Sequence, residues 1–372
     1  MSDFVTMSYK PMPAVIADIF MSGAFTSVYV EGPPGSGKTA MTEQVRRLMN
    51  LSYRFIIKPG HHEVIDFHGL PVPNHTTLTT DMYPSACLLP ATDLKGGVLL
   101  VGDEIADANV MIQNLWCQLM FEGGLHNYRL PENTYIMNTG NRVADRSGAN
   151  RIVTKAANRQ AWLTLQPQVE ELFDFALANG WAPSVAAFLK LRGGDPINPD
   201  NKRKGAEYVG TYFNSFDPTD PAQALKPIFS SSRSWEAVSK LINYVDRTNP
   251  RMADADLLPR VASLVGGAVA SAYVPFRSEA LVMPDPDAIA RGDKVPYPKK
   301  SSVLWVLTIS LVGRATKATF ENCYNWLAAG SNREFAILFV KQCFDTKAGA
   351  LISPAFNKVL QLPDVKQALS AT

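Results

Sequence analysis

The chain of 372 residues carries 36 Lys and Arg against 34 Asp and Glu, a formal charge of +2, with 46% hydrophobic and 19% charged residues. This balance excludes a strongly basic nucleic-acid coat, an acidic tail and a wholly disordered chain, and it suits two or three compact units. Apolar stretches such as Val303 to Leu307 fall far short of the roughly 20 residues that a membrane-spanning helix needs, so no membrane insertion is expected. The start, MSDFVTMSYKPMP, lacks the basic segment and apolar run of a secretory signal. Cys87, Cys117, Cys323 and Cys343 stand far apart without a CxxC pair, which points to reduced thiols and a cytoplasmic setting.

In chain order, Ser27 to Glu31 predicts a first strand, and Thr39 to Met49 a helix with Met41, Val45, Leu48 and Met49 on one face. Tyr53 to Ile57, Val98 to Val101 and Thr134 to Met137 predict further strands. A helix over Asn109 to Glu122 separates the last two, and Tyr128 to Leu130 followed by Pro131-Glu132-Asn133 predicts a short hairpin with its tip at the turn residues. This alternation implies an α/β fold with a mostly parallel central sheet. Beyond about residue 165 the pattern is helical: around Val169 to Ala176, Val185 to Leu189 and Trp235 to Val245. A segment rich in Pro and Asp, Met283 to Pro298, precedes a final helical stretch. The expected division is an α/β domain over 1–165, an all-helical domain over 166–285 and a helical extension over 286–372.

The sharpest motif is Gly32-Pro33-Pro34-Gly35-Ser36-Gly37-Lys38-Thr39, a full G-x-x-x-x-G-K-[ST] between a predicted strand and a predicted helix. Its glycines let backbone N–H groups close on phosphate oxygens at a helix amino terminus, so Gly32 to Ala40 is expected to hold a nucleoside triphosphate. Lys38 would reach the β and γ phosphates and Thr39 would ligate Mg²⁺. Val98-Leu99-Leu100-Val101-Gly102-Asp103-Glu104 is an apolar strand ending in two acids. Asp103 would hold Mg²⁺ through a water and Glu104 would orient the attacking water.

These residues, with Pro33-Pro34 in the loop, resemble the AAA+ ATPases. Asp66-Phe67-His68-Gly69-Leu70-Pro71, Gly96-Gly97, Asn138-Thr139-Gly140-Asn141, Ser231-Ser232-Arg233-Ser234-Trp235, Gly266 to Ala270, Met283 to Pro286 and Asn332 to Ala336 resemble the MoxR branch. The resemblance implies an AAA+ core with a helical lid, a homo-hexameric ring, ATP and Mg²⁺ as ligands, and a remodelling or chaperone activity alongside a von Willebrand factor A domain protein. It also implies that Asn141 holds the lytic water opposite Glu104, that Arg159 is an arginine finger, with Arg151 and Arg142 as rivals, and that Arg233 is a lid arginine sensing the γ-phosphate. Arg142 stands where much of the family has Pro. A DNA-directed motor or loader and a GTP-driven ring similar to McrBC are the alternatives. His61, His62 and His68 beside Glu63 lack metal-ligand spacing, and the patch of Tyr208, Tyr212 and Phe213 near Lys202, Arg203 and Lys204 is short for a nucleic-acid surface.

Overall fold

The computed structural model describes residues 5–83, 88–142, 152–203, 210–217, 227–330 and 333–370. Arg151, Cys87, Lys204, Tyr208 and Asn332 therefore lie outside the described residues. The chain falls into two compact units, Met1–Gln168 and Val169–Thr372.

In the first unit the order is β1 (Val5–Met7), α1 (Met12–Met21), β2 (Ser27–Glu31), α2 (Lys38–Leu48), β3 (Tyr53–Ile57), α3 (Val64–His68), β4 (Leu70–Asn74) and β5 (Thr79–Tyr83). It continues with β6 (Val98–Gly102), α4 (Val110–Glu122), β7 (Gly124–Leu125), β8 (Tyr128–Arg129), β9 (Thr134–Gly140), α5 (Thr154–Ala157) and β10 (Ala161–Leu165). Six of these strands form one sheet in the order β1-β10-β2-β9-β6-β3, and every pairing is parallel. The four residues Val98 to Val101 of β6 are all fully buried, as expected for a strand covered on both faces.

The covering layers follow from strand alternation. Val28, Val30, Leu99, Val101 and Met137 point to the side of α1 and α2, where they pack with Ile16, Phe20, Met41 and Val45. Tyr29, Leu100 and Ile136 point to the side of α4, against Ile112, Trp116 and Leu119. Close packing on that side requires glycine at 102, since a Cβ there would come within 2.6 Å of Asn138 Oδ1 and 2.7 Å of Trp116 Cζ2.

Three local expectations change. Two strands of the main sheet escape sequence inspection, β1 and β10, which together extend it beyond β2; the separate antiparallel pair β4-β5 escapes it too. β9 runs to Gly140, beyond the predicted end at Met137. The hairpin before β9 turns at His126-Asn127, with Gly124↔Arg129 and Leu125↔Tyr128 paired; Pro131 to Asn133 instead leads into β9. The reason is the end of α4: Gly123 caps it in the left-handed region at φ 64° and accepts from Leu130 N–H at 2.8 Å, so the chain folds back one turn earlier.

The second unit is helical: α6 (Val169–Ala178), α7 (Pro183–Arg192), α8 (Pro199–Arg203), α9 (Ser232–Thr248), α10 (Asp254–Val265) and α11 (Gly267–Ala280), then α12 (Pro286–Arg291), α13 (Ser301–Arg314), α14 (Phe320–Ala328), α15 (Glu334–Leu351), α16 (Pro354–Leu360) and α17 (Pro363–Ser370). α12 lies inside the segment rich in Pro and Asp, where Asp285 accepts from Asp287 N–H as the helix N-cap. Two apolar cores fill the unit. One centres on Phe188, Trp235 and Tyr273, the other on Phe320, Phe339 and Phe356. α13 serves both, giving Val306 and Ile309 to the first and Leu304, Leu307 and Leu311 to the second. Among the described residues no helix is long and apolar enough to cross a membrane.

Candidate nucleotide site

The sheet order determines what can meet. β2 leads into the glycine-rich loop and β6 into Asp103-Glu104, but the two strands are not neighbours; β9 lies between them, with Glu31 level with Gly140 and Gly102 level with Asn138. The carboxyl ends of β2, β9 and β6 therefore put the loop, residues 139–141 and the acidic pair side by side at one edge. Ligands of open α/β sheets bind at that edge.

Gly37 begins α2 from the left-handed region, at φ 89°, a conformation that a side chain would strain. The turn leaves the first N–H groups of α2 facing the loop, as anion sites at helix amino termini do. Inside the loop, Ser36 Oγ is buried without a hydrogen-bond partner among the described residues. Such an orphaned hydroxyl is unusual in a native interior and fits a loop shaped for phosphate oxygens.

Lys38 is nearly buried, 8% exposed. Its ammonium donates to the carbonyls of Gly32 at 2.8 Å and Pro33 at 2.9 Å, and to Asn141 Oδ1 at 3.0 Å. An ammonium has three protons, and these three oxygens take them in place of phosphate oxygens. Next to it, Thr39 Oγ1 donates to Asp103 Oδ1 at 2.8 Å, and Asp103 is 5% exposed. A hydroxyl and a carboxylate this close, on the hard-oxygen side of ligand preference, fit Mg²⁺. Lys38, Thr39, Asp103, Glu104 and Asn141, all named from sequence, thus come together.

Lys58, absent from the sequence candidates, also belongs here. It follows β3, whose Ile57 is level with Gly102, so it stands beside the acidic pair. Its ammonium lies 3.0 Å from Glu104 Oε2 and 3.7 Å from Asp103 Oδ2. The hydrogen bond to Glu104 holds the Lys58 ammonium above its ordinary range. Because the shift is upward, Lys58 keeps its proton across neutral pH, and its contribution is lost only as pH rises through the raised value. Burial, with the Glu104 carboxylate second, pushes the neighbouring Asp107 carboxyl up.

No family model matches the chain, and no curated protein does. Among solved structures it is similar to a protein of Cytophaga hutchinsonii described provisionally as an ATPase, at 12% identity and a TM-score of 0.30, covering 96% of this chain and 81% of that one. It is also similar to two point variants of RuvB from Thermotoga maritima. One, at 12% identity and a TM-score of 0.33, covers 94% of this chain and 86% of that one; the other, at 13% and 0.33, covers 77% and 95%. Superposition this loose says nothing about activity, which has to come from the side chains.

Of the arginines named from the sequence, Arg159 stands apart from this edge of the sheet. Arg159 is exposed, and its guanidinium lies over the Phe121 ring, 4.7 Å from the centroid. Its carbonyl accepts from Ser27 Oγ at 3.2 Å, at the start of β2, which puts it at the amino edge of the sheet. Four residues of strand, roughly 13 Å, separate that edge from the loop, so Arg159 does not serve its own chain's site. Arg142 follows Asn141 and is half-buried. Arg233 is exposed in the first turn of α9, which the reciprocal Ser231 and Ser234 capping box starts. Tyr9, absent from the sequence candidates, rests its ring against Gly37, where a Cβ would come within 3.2 Å of Cε2. His68 Nδ1 pairs with His126 Nε2 at 2.9 Å and His62 Nδ1 lies 3.5 Å from Asp66 Oδ2, so both rings have local protein partners.

Proposed function

We propose that this chain is a Mg²⁺-dependent ATPase of the AAA+ type, most similar in its motifs to the MoxR branch, which couples ATP turnover to remodelling of a protein partner. The observation that carries the reading is the convergence of Lys38, Thr39, Asp103, Glu104 and Asn141 on one sheet edge, next to a loop whose Ser36 hydroxyl is buried without a partner among the described residues. In this reading Lys38 exchanges the Gly32 and Pro33 carbonyls for β- and γ-phosphate oxygens. Thr39 and Asp103 hold Mg²⁺, which would neutralise phosphate charge. Glu104 accepts a proton of the attacking water and orients it, and Asn141 holds that water from the other side. Arg159, at the far edge, would serve a neighbouring subunit of a homo-hexamer, and Arg233 would report the nucleotide to the helical lid over 166–285. A von Willebrand factor A domain protein is the proposed partner.

The purified chain is expected to hydrolyse ATP in Mg²⁺ and not in EDTA, faster than GTP, and without response to duplex DNA. Faster turnover of GTP would favour the GTP-driven ring. A DNA-stimulated rate that falls steeply with salt would favour the nucleic-acid motor. No hydrolysis of either nucleotide would overturn the enzymatic reading.

Lys58 gives this reading a resting state, because its ammonium occupies Glu104 Oε2 and offsets the charge with which the carboxylate would polarise water. Lys58→Met is expected to raise basal turnover about 2–5-fold, the size set by a partly exposed ion pair. A fall in steady-state turnover would make Lys58 a contributor to the reaction instead of a latch.

A further inference from the structure

Thr139 is fully buried at the carboxyl end of β9, between the two acids and the loop. Its hydroxyl donates to Asp103 Oδ1 at 2.7 Å and accepts from the Glu104 backbone N–H at 3.2 Å. The direction is unambiguous, since an ionised carboxylate only accepts and a backbone N–H only donates. Asp103 Oδ1 thus receives two hydroxyls, Thr39 from α2 and Thr139 from β9, while Oδ2 is turned toward Lys58. Glu104 is the residue at which the chain turns sharply: its φ of 56° and ψ of 41° lie in the left-handed region, which a non-glycine residue enters only when its surroundings require it.

We propose that the Thr139 hydroxyl is a positioning group for both acids: it aims the Asp103 carboxylate toward Thr39 and fixes the Glu104 turn, so that one side chain sets the metal-holding and the water-orienting groups in register. This inference rests on the ATPase reading above. It needs a small, buried hydroxyl that accepts and donates at once. Valine fills the same space and does neither, whereas serine does both.

The test compares the full-length chain with Thr139→Val and Thr139→Ser, using a fluorescent ATP analogue for equilibrium binding and steady-state kinetics for turnover. In Thr139→Val, the gain in analogue affinity on adding Mg²⁺ is expected to shrink about 10-fold and kcat to fall about 10–100-fold. Affinity in EDTA, which reports the loop alone, is expected to stay within about twofold, and Thr139→Ser to recover both losses to within about threefold. Thr139→Ala carries the same expectation as valine should the valine variant not fold. Unchanged kcat and Mg²⁺ response in Thr139→Val would overturn the proposal, as would serine as impaired as valine, or an equal loss of affinity in EDTA. A parent chain that binds no nucleotide would instead overturn the enzymatic reading, leaving the two failures distinguishable.

Discussion

Glu104→Gln is expected to bind ATP about as well as the parent chain and to turn it over at least about 100-fold more slowly, as loss of a general base or water-orienting carboxylate does. The expectation follows from the division of labour at the sheet edge. Lys38, Thr39 and the loop make the contacts that would hold phosphate, and Glu104 makes none of them; its side-chain partner is Lys58. The amide is nearly isosteric, and the backbone N–H of residue 104 keeps its bond to Thr139. What changes is the charge that polarises water and the ion pair with Lys58. Single-turnover measurement with bound ATP separates this from a binding defect, and hydrolysis near the parent rate would remove Glu104 from its assigned role.

Lys38→Met is expected to have the opposite signature. Charge-assisted bonds contribute about 1.5–3 kcal/mol each, so loss of two such bonds to phosphate would weaken ATP binding by about 100-fold or more. A ligand that binds the folded state raises its stability in proportion to the logarithm of concentration over Kd. The parent chain and Glu104→Gln should therefore both show a Tm that climbs with added Mg·ATP, and Lys38→Met should not. A Tm shift in Lys38→Met equal to that of the parent would show that the loop does not bind nucleotide through this lysine.

How much of this was legible in the sequence differs from residue to residue, for physical reasons. The loop is readable because it is local: glycines that permit the turn, a lysine, a threonine and a helix follow one another. The acidic pair is readable because β6 is a run of buried apolar residues, and burial on both faces leaves that pattern in a strand. Lys58 and Thr139 are not readable in the same way. A lysine after a strand looks solvated until the pairing of Ile57 with Gly102 sets it beside the acids, and a threonine in a strand looks like ordinary β propensity until β9 is known to lie between β2 and β6. β10 fails to stand out for a related reason: the burial of Ala161–Leu165 comes from pairing with β1 and β2, which are far away in the chain. Arg159 was singled out by resemblance, and only the Ser27 contact shows which edge of the sheet carries it.

The position of β9, hydrogen-bonded along both sides, carries one more implication. Asn138 is paired on both sides, with Tyr29 and Gly102, and Thr139 and Gly140 are paired with β2, so the floor of the site is held by its neighbours. The adaptable parts are two ammonium groups, Lys38 and Lys58, each already satisfied by oxygens of the chain itself. In the proposed reaction, nucleotide binding would therefore be an exchange of oxygen partners by these ammonium groups and not a change in the strands beneath them. Such an exchange would leave the core that supports the site as it is.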